Sequence, residues 1–194
     1  MLNRDNLRDG CVFLLLTAIG VVGRWVQPDW HFTPLMAATV LGGFYFRSFF
    51  AAMLLPTAII AISNFALHSY DNVAVHASVY FSMLVPLLLG RGARASWTHT
   101  NGTKGREGWQ MAPWGVLCGV VPATAFFVIT NFVHWASTSM YDHTWVGLVN
   151  CYAAALPFYR AMLAGDLFYL TLLVGCLALA VGNDPELVRV RVKK

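Results

Sequence analysis

Long apolar runs with almost no internal charge are the feature that most constrains how this chain can fold. Only 11% of its 194 residues are charged, roughly half of the charged fraction of a soluble domain. The runs therefore predict an all-α integral membrane bundle, a single domain over 1–182 followed by a basic cytoplasmic tail over 183–194. Six transmembrane helices are predicted, at about 11–26, 33–46, 48–67, 74–89, 113–135 and 163–182.

A seventh apolar segment, about 145–158, could also be taken for a crossing, and the distribution of charge decides against it. With six crossings, 11 of the 13 Lys and Arg residues lie on one side, and only Arg24 and Arg160 lie on the other. Cytoplasmic surfaces of membrane proteins are enriched in these residues. We therefore predict a short outer-leaflet or re-entrant helix at 145–158, in a protein of the cytoplasmic (inner) membrane with both termini cytoplasmic.

The loop 90–112 is rich in Gly, Arg and Thr and is interpreted as a cytoplasmic connector. In the second span, Ala38 and Gly42 stand four residues apart, with Ala37 and Gly43 beside them. Small residues at this spacing let helices approach closely within a membrane. The face serves either packing inside the bundle or docking of a separate membrane subunit.

Five of the six histidines lie on the predicted outer side, together with several carboxyl groups. Asn131 and His134 share one face at the outer end of the fifth span, where they either bind a polar ligand or cap the helix at the interface. Ionisable side chains at membrane depth usually face a cavity or a partner. On these grounds the predicted ligand-binding residues are Asp71, Tyr80, Asn131, His134, Arg160 and Asp166.

Arg160 and Asp166 flank the entry to the sixth span, six residues apart. On a continuous helix they would point in different directions, whereas a break near Ala164-Gly165 would let them meet. Arg160 then either pairs with Asp166 or holds an anionic group of a ligand, which suits its planar guanidinium.

Metal and nucleotide chemistry have little support in the sequence. His68, Asp71 and His76 are close together, and Cys151 lies near the same surface, but their spacing matches no established metal motif. We predict no metal site and no cofactor. No phosphate-binding loop or dinucleotide fingerprint is present, so active transport would need an ion gradient or a partner ATPase.

The sorting of positive charge to one membrane face indicates lipid rather than nucleic acid as the partner.

Four blocks carry a resemblance to a bacterial membrane family of unassigned function, over about residues 10–180. They are His31–Gly43, Val79-Tyr80 with Gly90-Arg91, Thr130–Trp135 and the long block Gly147–Tyr169. That family is similar in size and span count to the substrate-binding S components of energy-coupling factor vitamin transporters. Among characterised proteins the chain resembles solitary cobalamin-type S components, which use a cysteine near the corrin, but 75–85 contains no cysteine here.

The resemblance implies a six-helix protein that binds a vitamin or a metal-containing molecule from the outer side. It also implies docking on an energy-coupling membrane subunit driven by ATPases. Two other hypotheses remain open from the residues themselves. One is a membrane scaffold or assembly protein without a ligand, and the other is an outer-leaflet enzyme with a His/Asp acid–base pair.

Overall fold

A computed structural model describes residues 4–29, 31–67, 72–101 and 112–183. These residues form seven α-helices joined by turns, with no strand among them, so the predicted all-α class is confirmed. The helices are α1 (Arg4–Trp25), α2 (Leu35–Tyr45), α3 (Phe49–Ser63), α4 (Val73–Ser82), α5 (Leu84–Asn101), α6 (Ala112–Ser137) and α7 (Trp145–Asn183). The predicted connector 90–112 is helical as far as Asn101, and its remainder up to residue 111 lies outside the described residues, as does the predicted tail from residue 184.

Four segments of the described chain are long and apolar enough to cross a membrane: Asn6–Trp25, Val73–Trp97, Pro113–Ser137 and Trp145–Leu177. The second of these combines α4 with most of α5, which are separated only by Met83. The remaining helices, α2 with 11 residues and α3 with 15, are shorter than the roughly 20 residues that a ~30 Å hydrocarbon core requires. These lengths indicate a membrane protein, but they do not confirm the predicted count of six spans.

The outside of the bundle is apolar. Phe50 is 84% exposed and Phe65 is 91% exposed, and many other Leu, Val and Phe side chains project outward from α1, α6 and α7. Soluble monomers rarely expose contiguous apolar surface on this scale. The exposed side chains are therefore the face that lipid would cover.

The short helix α2 is the centre of the bundle. It contacts α1, α3, α5, α6 and α7, and its residues from Leu35 to Val40 are buried, together with Gly42 and Gly43. Ala38 is completely buried. The small-residue face predicted for this helix therefore serves packing inside the bundle, and no part of it is left for a separate subunit.

The crossing of α2 and α5 depends on two glycines. A Cβ atom on Gly43 would overlap the carbonyl oxygen of Leu87, and a Cβ atom on Gly90 would overlap the carbonyl oxygen of Val40. Any side chain at either position would push the two backbones apart. This close approach places the central helix directly against the second half of the α4–α5 segment.

Hydrogen bonds between helix ends show that the helices alternate in direction. At one end, the Tyr45 hydroxyl at the end of α2 bonds Asp9 near the start of α1, at 3.1 Å. At this same end, Arg94 of α5 donates to the Tyr45 carbonyl at 3.3 Å, and Arg91 donates to the Arg47 carbonyl at 3.2 Å. We call it the arginine end.

The opposite end is the histidine end, which carries His31, His76, His134 and His143. Here Trp25 at the end of α1 donates to the Ser63 carbonyl at the end of α3, at 3.1 Å. Asn72, the N-cap of α4, donates to the Ser137 carbonyl at the end of α6, at 2.9 Å. Because α6 and α7 are antiparallel, α7 starts at the histidine end and runs toward the end at which α1 begins.

The prediction of a separate helix at 145–158 is wrong. This segment is the first part of α7, a continuous helix of 39 residues, about 58 Å long at 1.5 Å per residue. Pro157 interrupts only its local hydrogen bonding, and α6 supports both halves of α7. The Cys151 thiol reaches the Asn131 carbonyl in the first half, and Leu167 packs on Gly119 in the second. Charge sidedness constrains the number of crossings, but it does not show where a helix begins.

Candidate functional site

A cavity of about 420 Å³ lies between the helices near the histidine end. We call it the Asp166 cavity. Its volume falls within the range of small-molecule binding pockets. Its polar and titratable lining residues are Arg24, Gln27, His31, Thr33, Asn64, His76, Tyr80 and Asp166; Met36, Ile60, Val79, Phe126 and Met162 are among its apolar ones.

Asp166 projects into this cavity from α7 and is only 2% exposed. Its Oδ2 atom has no hydrogen-bond partner among the described residues. The preceding residue, Gly165, packs against the backbone of Phe32 and Thr33, where an added Cβ would lie 3.1 Å from the Phe32 Cα. Glycine thus lets α7 come close to the turn before α2, and this places the carboxyl group in the interior.

Arg24 forms part of another wall of the same cavity, in the last turn of α1. Its guanidinium Nη1 donates to the Ser63 hydroxyl and, at 3.3 Å, to the Asn64 side-chain oxygen. Both acceptors lie at the end of α3. The positive charge is therefore anchored between α1 and α3, while the carboxyl group of Asp166 comes from α7.

His31 lies in the turn before α2, where the two cavities of this end meet. Its backbone has φ 69°, an uncommon conformation for a residue other than glycine. Its amide donates to the Gln27 side-chain oxygen at 3.2 Å, and its ring packs edge-on against Phe158 at 5.7 Å. Burial, assisted by the positive charge of Arg24 and opposed by Asp29, lowers the pKa of His31.

The second cavity, of about 270 Å³, is called the Asn131 cavity. It shares His31, Val79, Phe126 and Met162 with the Asp166 cavity. Among its other lining residues are Thr130, Asn131, His134, Met140, Tyr141 and Cys151. Since these residues lie toward the end of α6 and the start of α7, this cavity is nearer the surface of the histidine end.

The polar side chains of the Asn131 cavity make hydrogen bonds mainly to residues close to them in α6, α7 and the turn between these helices. The Asn131 amide donates to the Phe127 carbonyl at 2.8 Å, and a His134 ring nitrogen lies 3.5 Å from the Met140 sulfur. The Cys151 thiol donates to the Asn131 carbonyl at 3.6 Å.

The structure separates the predicted ligand-binding residues into groups. Tyr80 and Asp166 line one cavity, and Asn131 and His134 line the adjoining one. Arg160 is exposed and lines neither of them. Asp71 lies outside the described residues.

The break near Ala164-Gly165 that would let Arg160 and Asp166 meet is absent, because α7 is helical throughout this region. Arg160 and Asp166 therefore point in different directions, and the Oδ2 atom of Asp166 is not hydrogen-bonded to the guanidinium. The pairing considered from the sequence does not form.

Sequence reasoning did not select three residues that the structure brings to the Asp166 cavity: Arg24, His31 and His76. Arg24 had a usable signal, because it is one of only two basic residues predicted on the outer side. For His31 no sequence signal indicated this cavity, because the position of its side chain depends on a turn conformation that no local sequence pattern specifies. Within the described residues no group of three or more His, Cys, Asp or Glu side chains is placed to hold a metal ion, and all four cysteines are free thiols.

Comparison with protein families then gives one match: a family of unknown function, DUF6580, matches residues 4–187. The chain belongs to the DUF6580 family. This match includes the helices that form both cavities, and it agrees with the predicted membership of a family of unassigned function. No curated protein matches this DUF6580 chain. No solved structure matches it either, so nothing in these comparisons supports the resemblance to S components.

Proposed function

We propose that this DUF6580 protein is a small-molecule uptake component of the cytoplasmic membrane, with the Asp166 cavity as its binding site. The observation that supports this proposal most directly is a carboxyl group buried to 2% exposure beside 420 Å³ of empty space. Burying such a group without a partner is expensive. In membrane proteins, ionisable side chains of this kind mark ligand or ion pathways.

The arrangement of the two cavities also supports uptake. The Asn131 cavity is lined by the end of α6 and the start of α7, and the Asp166 cavity adjoins it, with His31 lining both. In the proposed orientation the arginine end faces the cytoplasm, because Arg47, Arg91 and Arg94 lie there. A ligand would then enter from the outside, pass His31 and reach Asp166.

The finer parts of the proposal are six crossings, with the short α2 and α3 crossing as a packed pair, and a vitamin-like or metal-containing ligand. The alternating helix directions are compatible with an even number of crossings. Energy would come from an ion gradient or from a coupling subunit with ATPases. Docking of such a subunit would have to use a surface other than the Ala38–Gly42 face, which is buried.

A ligand screen on the purified, detergent-solubilised chain tests the proposal. Vitamins, metal complexes, amino acids and organic amines are added one at a time, the melting temperature is measured, and the untreated protein is examined by mass spectrometry for co-purified molecules. We expect at least one compound to raise the melting temperature, as ligands that bind only the folded state do. A scaffold without a ligand would show neither a stabilising compound nor a co-purified molecule, and this outcome would refute the uptake role.

A further inference from the structure

We infer that the Asp166 cavity binds an organic cation, with a protonated nitrogen of the ligand held by the Asp166 carboxylate. The inference rests on the proposed function and names the charge class of the ligand. It starts from the Asp166 carboxyl group, which lines the cavity and whose buried Oδ2 atom has no hydrogen-bond partner among the described residues. A carboxylate offers only acceptors, so its partner in the cavity must be a donor.

The groups that face the cavity leave this role to a ligand. Arg24 donates to Ser63 and Asn64 on α3, and none of the described residues hydrogen-bonds the Oδ2 atom of Asp166. His31, His76 and Tyr80 line the same space. Ion pairs buried at low dielectric require direct charge-assisted hydrogen bonds, and an ammonium group of a ligand in the cavity would supply one to the Asp166 carboxylate.

The remaining walls suit the body of such a ligand. The rings of His76 and Tyr80 lie 5.2 Å apart at 37°, and Phe126 and Met162 complete an aromatic and apolar lining. Aromatic faces attract cations and pack against flat apolar groups. The ligand class is therefore a small amine with an aromatic or apolar body, of a size that 420 Å³ can contain.

Three matched probes test the charge requirement: phenethylamine, 2-phenylethanol and 3-phenylpropionate, which share a phenyl ring and differ in the charge of the second group. Their dissociation constants are measured by calorimetry on the full chain. We expect the amine to bind and the acid to bind at least about tenfold more weakly, since a hydrogen bond to a charged group is worth roughly that factor or more. Equal binding of the three probes, or stabilisation by sodium ions alone, overturns the inference.

The assignment to Asp166 is tested with D166N, which keeps the size of the side chain but removes its negative charge. We expect amine binding to fall about 10- to 100-fold in D166N. The matched control is D142N, which removes an exposed carboxylate at the same end and should leave binding unchanged. Unchanged amine binding in D166N contradicts the assignment.

A measurement on the unmodified chain keeps the test valid if D166N does not fold. A hydrophobic carbodiimide labels buried carboxyl groups, and mass spectrometry locates the adduct. Phenethylamine should protect Asp166 from labelling, whereas 2-phenylethanol should not. Failure of the amine to protect Asp166 overturns the inference, and a different ligand from the wider screen would still support uptake.

Discussion

His31 has an energetically costly backbone. A non-glycine residue with φ 69° costs of the order of 1–3 kcal/mol, which the surrounding contacts must offset. The offsetting contacts are the hydrogen bond from its amide to Gln27 and the packing of its ring on Phe158. Backbone strain persists where the surrounding structure fixes a residue in place. Here it fixes His31 at the junction of the two cavities.

The burial of His31 predicts a pH dependence of stability. Its folded pKa lies below the ordinary value of 6.5, so the unfolded chain binds more protons between those two values. His31 therefore leaves the free energy of unfolding at its full value above about pH 6.5. This free energy falls as the pH drops from 6.5 through the folded pKa, because protonation then favours the unfolded chain. We expect the melting temperature to fall more steeply from pH 7.5 to about 5.5 in the wild type than in H31N.

H31A serves as the control for this experiment. It also removes the imidazole, so it should flatten the acid side of the profile as H31N does. Because alanine tolerates a positive φ less well than asparagine, H31A should melt below H31N at every pH. An H31N profile as steep as that of the wild type would show that another group causes the acid sensitivity.

At the level of the helices, the crossing of α2 and α5 depends on glycine at particular positions, because their backbones are in contact there. Ordinarily, replacing glycine by alanine inside a helix stabilises it by about 0.5–1 kcal/mol. At Gly90 the new Cβ would overlap the Val40 carbonyl oxygen, so we expect G90A to lower the unfolding free energy by about 1–3 kcal/mol. The melting temperature in detergent is the measurement.

Gly115 in α6 provides the matched control, because nothing lies within 4 Å of a Cβ built there. G115A should therefore be neutral or slightly stabilising. If G90A and G115A behave alike, the two backbones do not approach as closely as described.

The elements also show what the sequence could and could not predict. The apolar runs predicted α1, α2, α3 and α6, because a run without charge has few alternatives in a membrane. They did not predict most of α5, since residues 90–101 were interpreted as part of a connector. The prediction divided 145–158 from 163–182, although the residues between them, 159–162, include no glycine or proline that would end a helix. The division between α4 and α5 at Met83 is explained by Pro86, which stands in the first turn of α5 and has no N–H to donate to the Ser82 carbonyl four residues earlier.

The same limit applies to the candidate site. Burial of Asp166 was foreseeable, because a single carboxyl group stands inside an apolar run. Its neighbours were not, because Arg24, His76 and Asp166 come from α1, α4 and α7, and only the packing of these helices brings them to one cavity. Arg160 was predicted to bind the ligand but is exposed, since a charged residue near the end of a span can also face outward.

On the scale of the whole molecule, charge is sorted along the bundle. Among the described side chains, Arg47, Arg91 and Arg94 lie at one end, whereas Arg24 lies at the other, together with His31, His76, His134 and His143. The electrostatic preference for positive charge at the cytoplasm would then fix the orientation in the membrane. The proposed uptake role requires that the histidine end be outside, because both cavities lie there.

Accessibility labelling of single cysteines tests this orientation most directly. In a variant with the four native cysteines replaced by serine, R47C and H143C each introduce one thiol at an exposed position, at opposite ends. A membrane-impermeant maleimide is added to intact spheroplasts and to permeabilised ones. We predict that H143C is labelled in both, and that R47C is labelled only after permeabilisation. Labelling of the two thiols from the same compartment would contradict the account.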